Sequence, residues 1–465
     1  MRSSLKKKDF ISLGIVAFLI LTLVLSLDLV KKTQLYLTEA LGSKANIVVD
    51  HAVDQGPIIP FWQNLSQGGE EKEPFKAIIP EISNLKPAYI RIDHIYDFYD
   101  VVYRENGLLK FDWSKLDSVV DDILKTGAKP FLALSYMPQV ISSGGITDQP
   151  QNWKEWQLVV QKTIEHFSGQ QGRGLENVYY EVWNEPDLFG QWKMDGRKDY
   201  RLLYTYAAKG AALAQNTLPF KIGGPGTTAP YQIWVDDFWG YLRANSVRID
   251  FYSWHRYSED PQKFLDDANH VDNWLFSRGA SVLEKVITEW GSDSEISLHH
   301  DGSFDAAHLV ATTRQLIQRV DRAFIFEIKD GPNPDGQKLW GRWGFLTNEI
   351  AGPVEKKPKY FALQLLNEMN GHRLSLSGEG TWVSGFSVKD GPKTKVILVN
   401  FDQEEHHMET VPLTINNLEN GNYSFREEFL IGPGKISSEI ATDGTLKKEI
   451  LLTPNNVVLV TLEKI

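Results

Sequence analysis

Cysteine is absent from the chain. This excludes disulfide bonds, thiolate metal sites and lipidation of an N-terminal cysteine. Internal repeats and low-complexity tracts are also missing, so a repeat array is excluded. A phosphate-binding glycine loop is lacking too: Gly223-Gly224-Pro225-Gly226 has neither the Lys nor the Ser or Thr of a P-loop. Positive charge is scarce, with 49 Lys and Arg against 60 Asp and Glu and a formal net charge of −11. Residues 1–34 hold Arg2, Lys6, Lys7, Lys8, Lys31 and Lys32 against only Asp9 and Asp28. The remainder is therefore more acidic than the whole, which argues against nucleic acid as a partner.

Long apolar runs are rare, and one stands out. Residues 11–27 are apolar apart from Ser12, Gly14, Thr22 and Ser26, and they follow Lys6-Lys7-Lys8. Taken from Phe10 to Val30, the run is long enough to span a bilayer. Ser26-Leu27-Asp28 offers no good small-x-small cleavage site. The expectation is an uncleaved signal anchor over residues 1–34, with a cleaved signal peptide as the alternative. The positive-inside rule then leaves the N-terminus in the cytoplasm and the large domain outside it, periplasmic or extracellular.

What the chain has in quantity is apolar and aromatic side chains. Of 465 residues, 42% are hydrophobic, enough for a large core and two soluble domains. Fourteen Trp, 17 Tyr and 23 Phe supply flat faces of the kind that stack on the C–H faces of sugars, though most aromatics serve a core.

Strand and helix signals alternate through the first four-fifths of the chain. Strands are expected at 88–92, 129–134, 178–182, 220–223, 251–254, 285–288 and 323–328, preceded by one at 46–53 or 58–62. Helices are expected between them at 75–85, 113–126, 153–167, 200–213, 231–244, 264–278 and 306–320, with a closing helix at 358–369. Eight such units predict a closed (β/α)8 barrel of the TIM type, class α/β, over residues 35–372. After Gly371 only short apolar-rich segments recur, separated by Asx-Gly and Gly-Pro turns. They predict an antiparallel β-sandwich over residues 373–465.

The chemistry is carried by two strand ends. Val178-Tyr179-Tyr180-Glu181-Val182 reads as a strand and runs into Trp183-Asn184-Glu185-Pro186, where the proline stops it. Residues 281–288 read as a strand that delivers Glu289-Trp290-Gly291. Glu185 falls after the fourth strand and Glu289 after the seventh. Both lie on the carboxyl-terminal rim, the catalytic face of such a barrel. Two carboxylates close together there are the equipment of a glycosidase that retains anomeric configuration. Glu185 must carry a proton to the leaving oxygen and then activate water, while Glu289 must stay ionised to attack.

These residues resemble glycoside hydrolase family 39, retaining barrel enzymes of the β-xylosidase and iduronidase kind. The resemblance rests on Tyr180-Glu181-Val182-Trp183-Asn184-Glu185-Pro186-Asp187, on Ile287-Thr288-Glu289-Trp290 and on residues 357–366. It implies that Glu185 is the acid/base and Glu289 the nucleophile. It implies that Asn184 bonds the sugar 2-hydroxyl, that Arg91 sits beneath the nucleophile and that His255 and Tyr257 frame it, and all four are counted as candidate substrate contacts. The chain departs from the family's Arg-x-His-Gly after strand two, where it has Arg91-Ile92-Asp93-His94.

Among the aromatics at strand ends, Trp290, Trp340 and Trp343 are the candidate sugar platforms. Arg256, Lys329 and Arg342 are rim cations available to a uronate carboxylate. His299-His300-Asp301 lacks a third ligand spacing, so neither a metal nor another cofactor is expected. The partners implied are an oligosaccharide or polysaccharide substrate and, through the N-terminal helix, a membrane. A barrel that only binds carbohydrate, or a transglycosidase, is the competing reading.

Overall fold

The computed structural model describes residues 42–465, so the expected anchor at 1–34 lies outside the described residues. Among the described residues no helix is long and apolar enough to cross a membrane.

The first strand, β1 (Ile47–Pro57), stays out of the barrel. It runs antiparallel to β12 (His372–Ser377) and parallel to β15 (Glu409–Asn416). The barrel instead begins at β2 (Asn64–Gln67), later than either stretch expected from sequence. Residues 61–63 form a short 3-10 turn. Four residues are too few to show an alternating pattern, and β2 is buried on both faces.

Around the barrel, β2 is followed by β3 (Tyr89–Ile92), β6 (Lys129–Ala133), β7 (Val178–Glu181), β8 (Phe220–Thr227), β9 (Phe251–Tyr257), β10 (Glu284–Gly291) and β11 (Arg322–Phe326), which returns to β2. All neighbours are parallel and the sheet is closed. Helices α1 (Ile79–Ser83), α2 (Ser114–Lys125), α3 (Trp153–Phe167), α4 (Tyr200–Leu213), α5 (Gln232–Ala244), α6 (Pro261–Ser277), α7 (Ser303–Leu316) and α8 (Pro358–Asn367) follow the strands in turn. Their caps are local: Asn152, Asp199 and Asp260 accept from the backbone N–H two residues on, starting α3, α4 and α6. The alternation read from sequence therefore holds. A hairpin of β4 (Val102–Glu105) and β5 (Leu108–Phe111) was not anticipated, although Asn106-Gly107, both at positive φ, is a strong two-residue turn signal.

The barrel interior is built in layers. Tyr89, Phe131, Tyr179, Phe251, Val286 and Phe324 form one apolar cluster that plugs it. Phe131 stacks on Tyr179 at 5.3 Å and meets Phe324 edge-on at 4.7 Å. With a side-chain period of two, the layer above is set by the residues two further on. These are Arg91, Ala133, Glu181, Ser253, Thr288 and Phe326, so polar side chains predominate in that layer. The site rests on it.

The C-terminal strands are β12, β13 (Val383–Asp390), β14 (Lys393–Asn400), β15, β16 (Gly421–Phe429), β17 (Lys435–Ala441), β18 (Leu446–Leu452) and β19 (Asn456–Lys464). With β1 they form one nine-stranded sheet in the order β17-β16-β19-β14-β13-β12-β1-β15-β18. β17 and β18 sit at opposite ends of that order yet are joined by the short turn at 442–445. The sheet therefore curls until its edges meet, around a core that includes Ile47, Val49, Leu398, Val411, Phe425 and Ile450. Its other face packs through Phe386, Ile397, Phe401 and Leu459 into the main core. α7 lies between barrel and sheet and is buried nearly all round.

Candidate active site

Arg91 is fully buried and organises the polar layer. Its Nε and Nη2 donate to Glu181 Oε2 at 2.9 and 2.7 Å. Nη1 donates to Glu289 Oε1 at 2.6 Å, and Nη2 also reaches Asn184 Oδ1 at 2.8 Å. The other oxygen of Glu181 accepts from Ser253 Oγ at 2.6 Å and Thr288 Oγ1 at 2.8 Å. Glu181 thus balances a buried guanidinium whose second carboxylate partner, Glu289, opens into the cavity. The sequence reading did not single out Glu181. The available signal was an acidic residue at an inward position of an otherwise apolar strand.

Glu289 faces inward because of a backbone irregularity. Val286 and Thr288 already point into the barrel, so strict alternation would turn Glu289 outward. Against β9, however, Ile287 pairs with Trp254 and Glu289 with His255, leaving Thr288 as an extra residue. This β-bulge re-aims Glu289 to the interior. The same shift sends Trp290 outward, where it is buried against Phe264 at 5.6 Å. Trp290 is therefore a core residue, and the expectation of a sugar platform there is corrected.

Glu185 sits in the loop after β7. Its φ is +43°, and that of Trp183 is +80°, both in the left-handed region that non-glycine residues rarely adopt. The conformation is held by Glu185 N–H donating to Gly226 O at 2.9 Å and by Trp183 Nε1 donating to Phe189 O at 2.9 Å. Trp183 itself is fully buried.

His255 lies between the two carboxylates. Its Nδ1 is 2.9 Å from Glu185 Oε1 and 3.4 Å from Glu289 Oε2. Burial opposes a charge on the ring, but Glu289 and Glu185 outweigh it and raise the pKa above the ordinary histidine value. With no exposed surface, His255 touches the carboxylates rather than a ligand, which corrects its placement among substrate contacts. Arg91 is corrected on the same ground. Tyr257 lines the cavity and donates to Glu289 Oε2 at 3.1 Å. Asn184 lines it too, with Nδ2 donating to Tyr136 Oη at 3.0 Å. Burial keeps the pKa of Glu289 above the ordinary glutamate value, with His255 and Arg91 opposing it.

Glu185, His255 and Glu289 each place a donor atom within 4.8 Å of the others. That geometry suits a metal ion in principle. Here the guanidinium of Arg91 already supplies positive charge to Glu289.

The cavity measures about 550 Å³ and opens on the carboxyl-terminal rim. Its carboxylates are Glu70, Asp93, Glu185, Glu289 and Glu295, and among the described residues no Lys or Arg lines it. Trp343 forms part of the wall, beside Phe326 at 5.8 Å. Trp340 is not part of the wall; its ring lies 5.1 Å from the Arg342 guanidinium. The rim cations are all engaged. Arg256 pairs with Asp267, Lys329 with Glu71 and Glu349, and Arg342 with Glu70. Where sequence departs from Arg-x-His-Gly, Asp93 and His94 both line the cavity, and His94 Nδ1 meets Asp97 at 2.7 Å.

The sequence profile of glycosyl hydrolases family 39 matches residues 45–416. The chain belongs to this family. It is an O-glycosyl hydrolase of the retaining kind, with a carbohydrate substrate. A β-xylosidase of Caldicellulosiruptor saccharolyticus is 26% identical over 397 residues, covering 78% of this chain and 80% of that one. Among solved structures, a monomeric β-xylosidase from Caulobacter crescentus superposes with a TM-score of 0.77 at 21% identity, over 90% of this chain and all of that one. A bacterial orthologue of human α-L-iduronidase gives 0.69 at 16%, over 91% and 84%. At these identities the structures speak to the fold alone.

Proposed function

We propose that this chain hydrolyses neutral β-glycosides of the xyloside type by double displacement, with Glu289 as nucleophile and Glu185 as acid/base. The observation that carries the reading is the approach of the Glu185 and Glu289 carboxylate oxygens within 4.8 Å. Retention calls for carboxyl groups about 5–5.5 Å apart, and inversion for about 6.5–9.5 Å. Glu289 attacks the anomeric carbon while Glu185 protonates the leaving oxygen. Water, deprotonated by Glu185, then releases the sugar. Arg91 and Tyr257 hold the nucleophile, and Asn184 faces the 2-hydroxyl.

A uronide substrate is the second reading, the one that the iduronidase side of the family resemblance implies. The cavity charge opposes it, since a uronate would meet five carboxylates and no free cation among the described residues. Like-charge contacts of that kind cost several kcal/mol. The test is kcat/KM for an aryl β-xyloside against the matching aryl β-glucuronide and α-iduronide. We expect the xyloside to lead by about a hundredfold or more, in line with such a cost. Comparable or faster turnover of a uronide contradicts the assignment.

We also propose that the enzyme works outside the cytoplasm on an uncleaved anchor. Support comes from Lys6-Lys7-Lys8 and the apolar run at 11–27. Recovery of a soluble form beginning near Asp28 would replace the anchor by a cleaved signal peptide.

A further inference from the structure

The cavity wall is asymmetric. On the side of β2 and β3 it is polar, with Glu70, Asp93 and His94, while β11 contributes Phe326 with Trp343 beside it. On the side of the Glu185 loop it is apolar, with Leu188 and Phe189. Both are exposed, 56% and 41%, although they stand three and four residues from a buried reaction centre. Their positions are fixed to the acid/base residue itself. The backbone N–H groups of Leu188 and Phe189 donate to Glu185 O at 3.0 and 2.7 Å. Phe189 packs edge-on to Tyr136 at 5.7 Å and its carbonyl accepts from Trp183 Nε1. Two large apolar side chains, presented to solvent on a rigid turn, form a lip rather than a piece of core.

From this we propose that Leu188 and Phe189 form the leaving-group subsite, which selects a leaving group or acceptor with a flat apolar face, an aryl ring or the C–H face of a sugar. The inference rests on Glu185 being the acid. The group that Glu185 protonates must lie on the Glu185 side of the bond being cut, and there the lip is the available surface. In the second half-reaction the same surface receives the acceptor. The ester bond from Glu289 to the anomeric carbon breaks, the acceptor oxygen bonds that carbon, and the acceptor proton passes to Glu185. An alcohol with a flat apolar face therefore competes with water, which makes the enzyme a transglycosylase toward such alcohols.

The experiment compares benzyl β-xyloside, xylobiose and methyl β-xyloside, using β-xylosyl fluoride as the internal reference because its leaving atom does not reach the lip. Benzyl and methyl leaving groups are alcohols of similar acidity, so their ratio reads contact rather than chemistry. The full-length protein should favour benzyl over methyl by about tenfold or more, the scale of discrimination an apolar contact gives. In L188S/F189S that ratio should collapse toward one. A parallel loss with xylobiose assigns the lip to a sugar face as well, and no loss restricts it to aryl groups; both support the subsite. A benzyl-to-methyl ratio near one in the unaltered protein, or unchanged in the variant, overturns it. Leu188→Ser alone, at the more exposed position, repeats the test if the double variant does not fold. As a second readout, benzyl alcohol should give several-fold more transfer product than ethanol at equal concentration, and equal yields count against the lip. Failure of the unaltered protein to hydrolyse the fluoride is a different result, one that removes the xyloside reading itself.

Discussion

Arg91 reaches Glu181, Asn184 and Glu289 at once, so one buried side chain sets the positions of three others. Losing one member of such a set leaves a buried charge without its partner, which is costly. His255 adds the second positive influence on Glu289, working against the burial that raises the nucleophile's pKa. Glu289 must be ionised to attack, so activity is present above its pKa and lost below it. His255→Gln keeps a donor near Glu185 but removes the charge. The acid limb of kcat/KM should therefore move to higher pH by about one unit, at the low end of what a close charge produces. A pH–rate profile checks this, and an unmoved limb would mean that His255 carries no charge in the free enzyme. At this scale the sequence pointed to Glu185, Glu289, Asn184, Arg91, Tyr257 and Trp343, which the structure brings to the cavity or, for Arg91, against Glu289. Tyr136 and Glu70 were not, because a tyrosine in a loop and a glutamate beside glycines carry no spacing signal.

Elements decide which of those residues meet. Glu289 and Trp290 are adjacent in the sequence, and the bulge at Thr288 alone determines that the acid enters the cavity and the indole leaves it. A bulge has no reliable sequence mark, which is why Trp290 was misread. α7 shows a different effect of packing. His308 on this helix is fully buried between Trp290, Phe264 and Phe401, and Nε2 faces Ser258 O at 2.8 Å. Burial lowers its pKa from 6.5 to about 4. Between these values the unfolded chain binds a proton that the folded chain does not. Stability from this group is complete above pH 6.5 and drains away as pH falls toward about 4. The loss is on the order of 3 kcal/mol. The melting temperature of His308→Gln should thus fall less steeply than that of the unaltered protein over this window, and parallel slopes would contradict the assignment.

For the whole molecule, the alternation of strands and helices was enough to predict a closed barrel, since eight parallel units have few other ways to bury both sheet faces. The path of β1 was beyond sequence reasoning. Its residues look like any half-buried strand, and its partners β12 and β15 lie more than 300 residues away. Closure brings Glu185 and Glu289 together, because strands four and seven face each other across the barrel mouth. The direct measurement is to trap the intermediate with 2-deoxy-2-fluoro-β-xylosyl fluoride and map the labelled peptide by mass spectrometry. The account predicts a single glycosyl adduct on Glu289. An adduct on Glu185 or another carboxylate, or turnover of the natural bond with no trappable adduct and an inverted product, would contradict it.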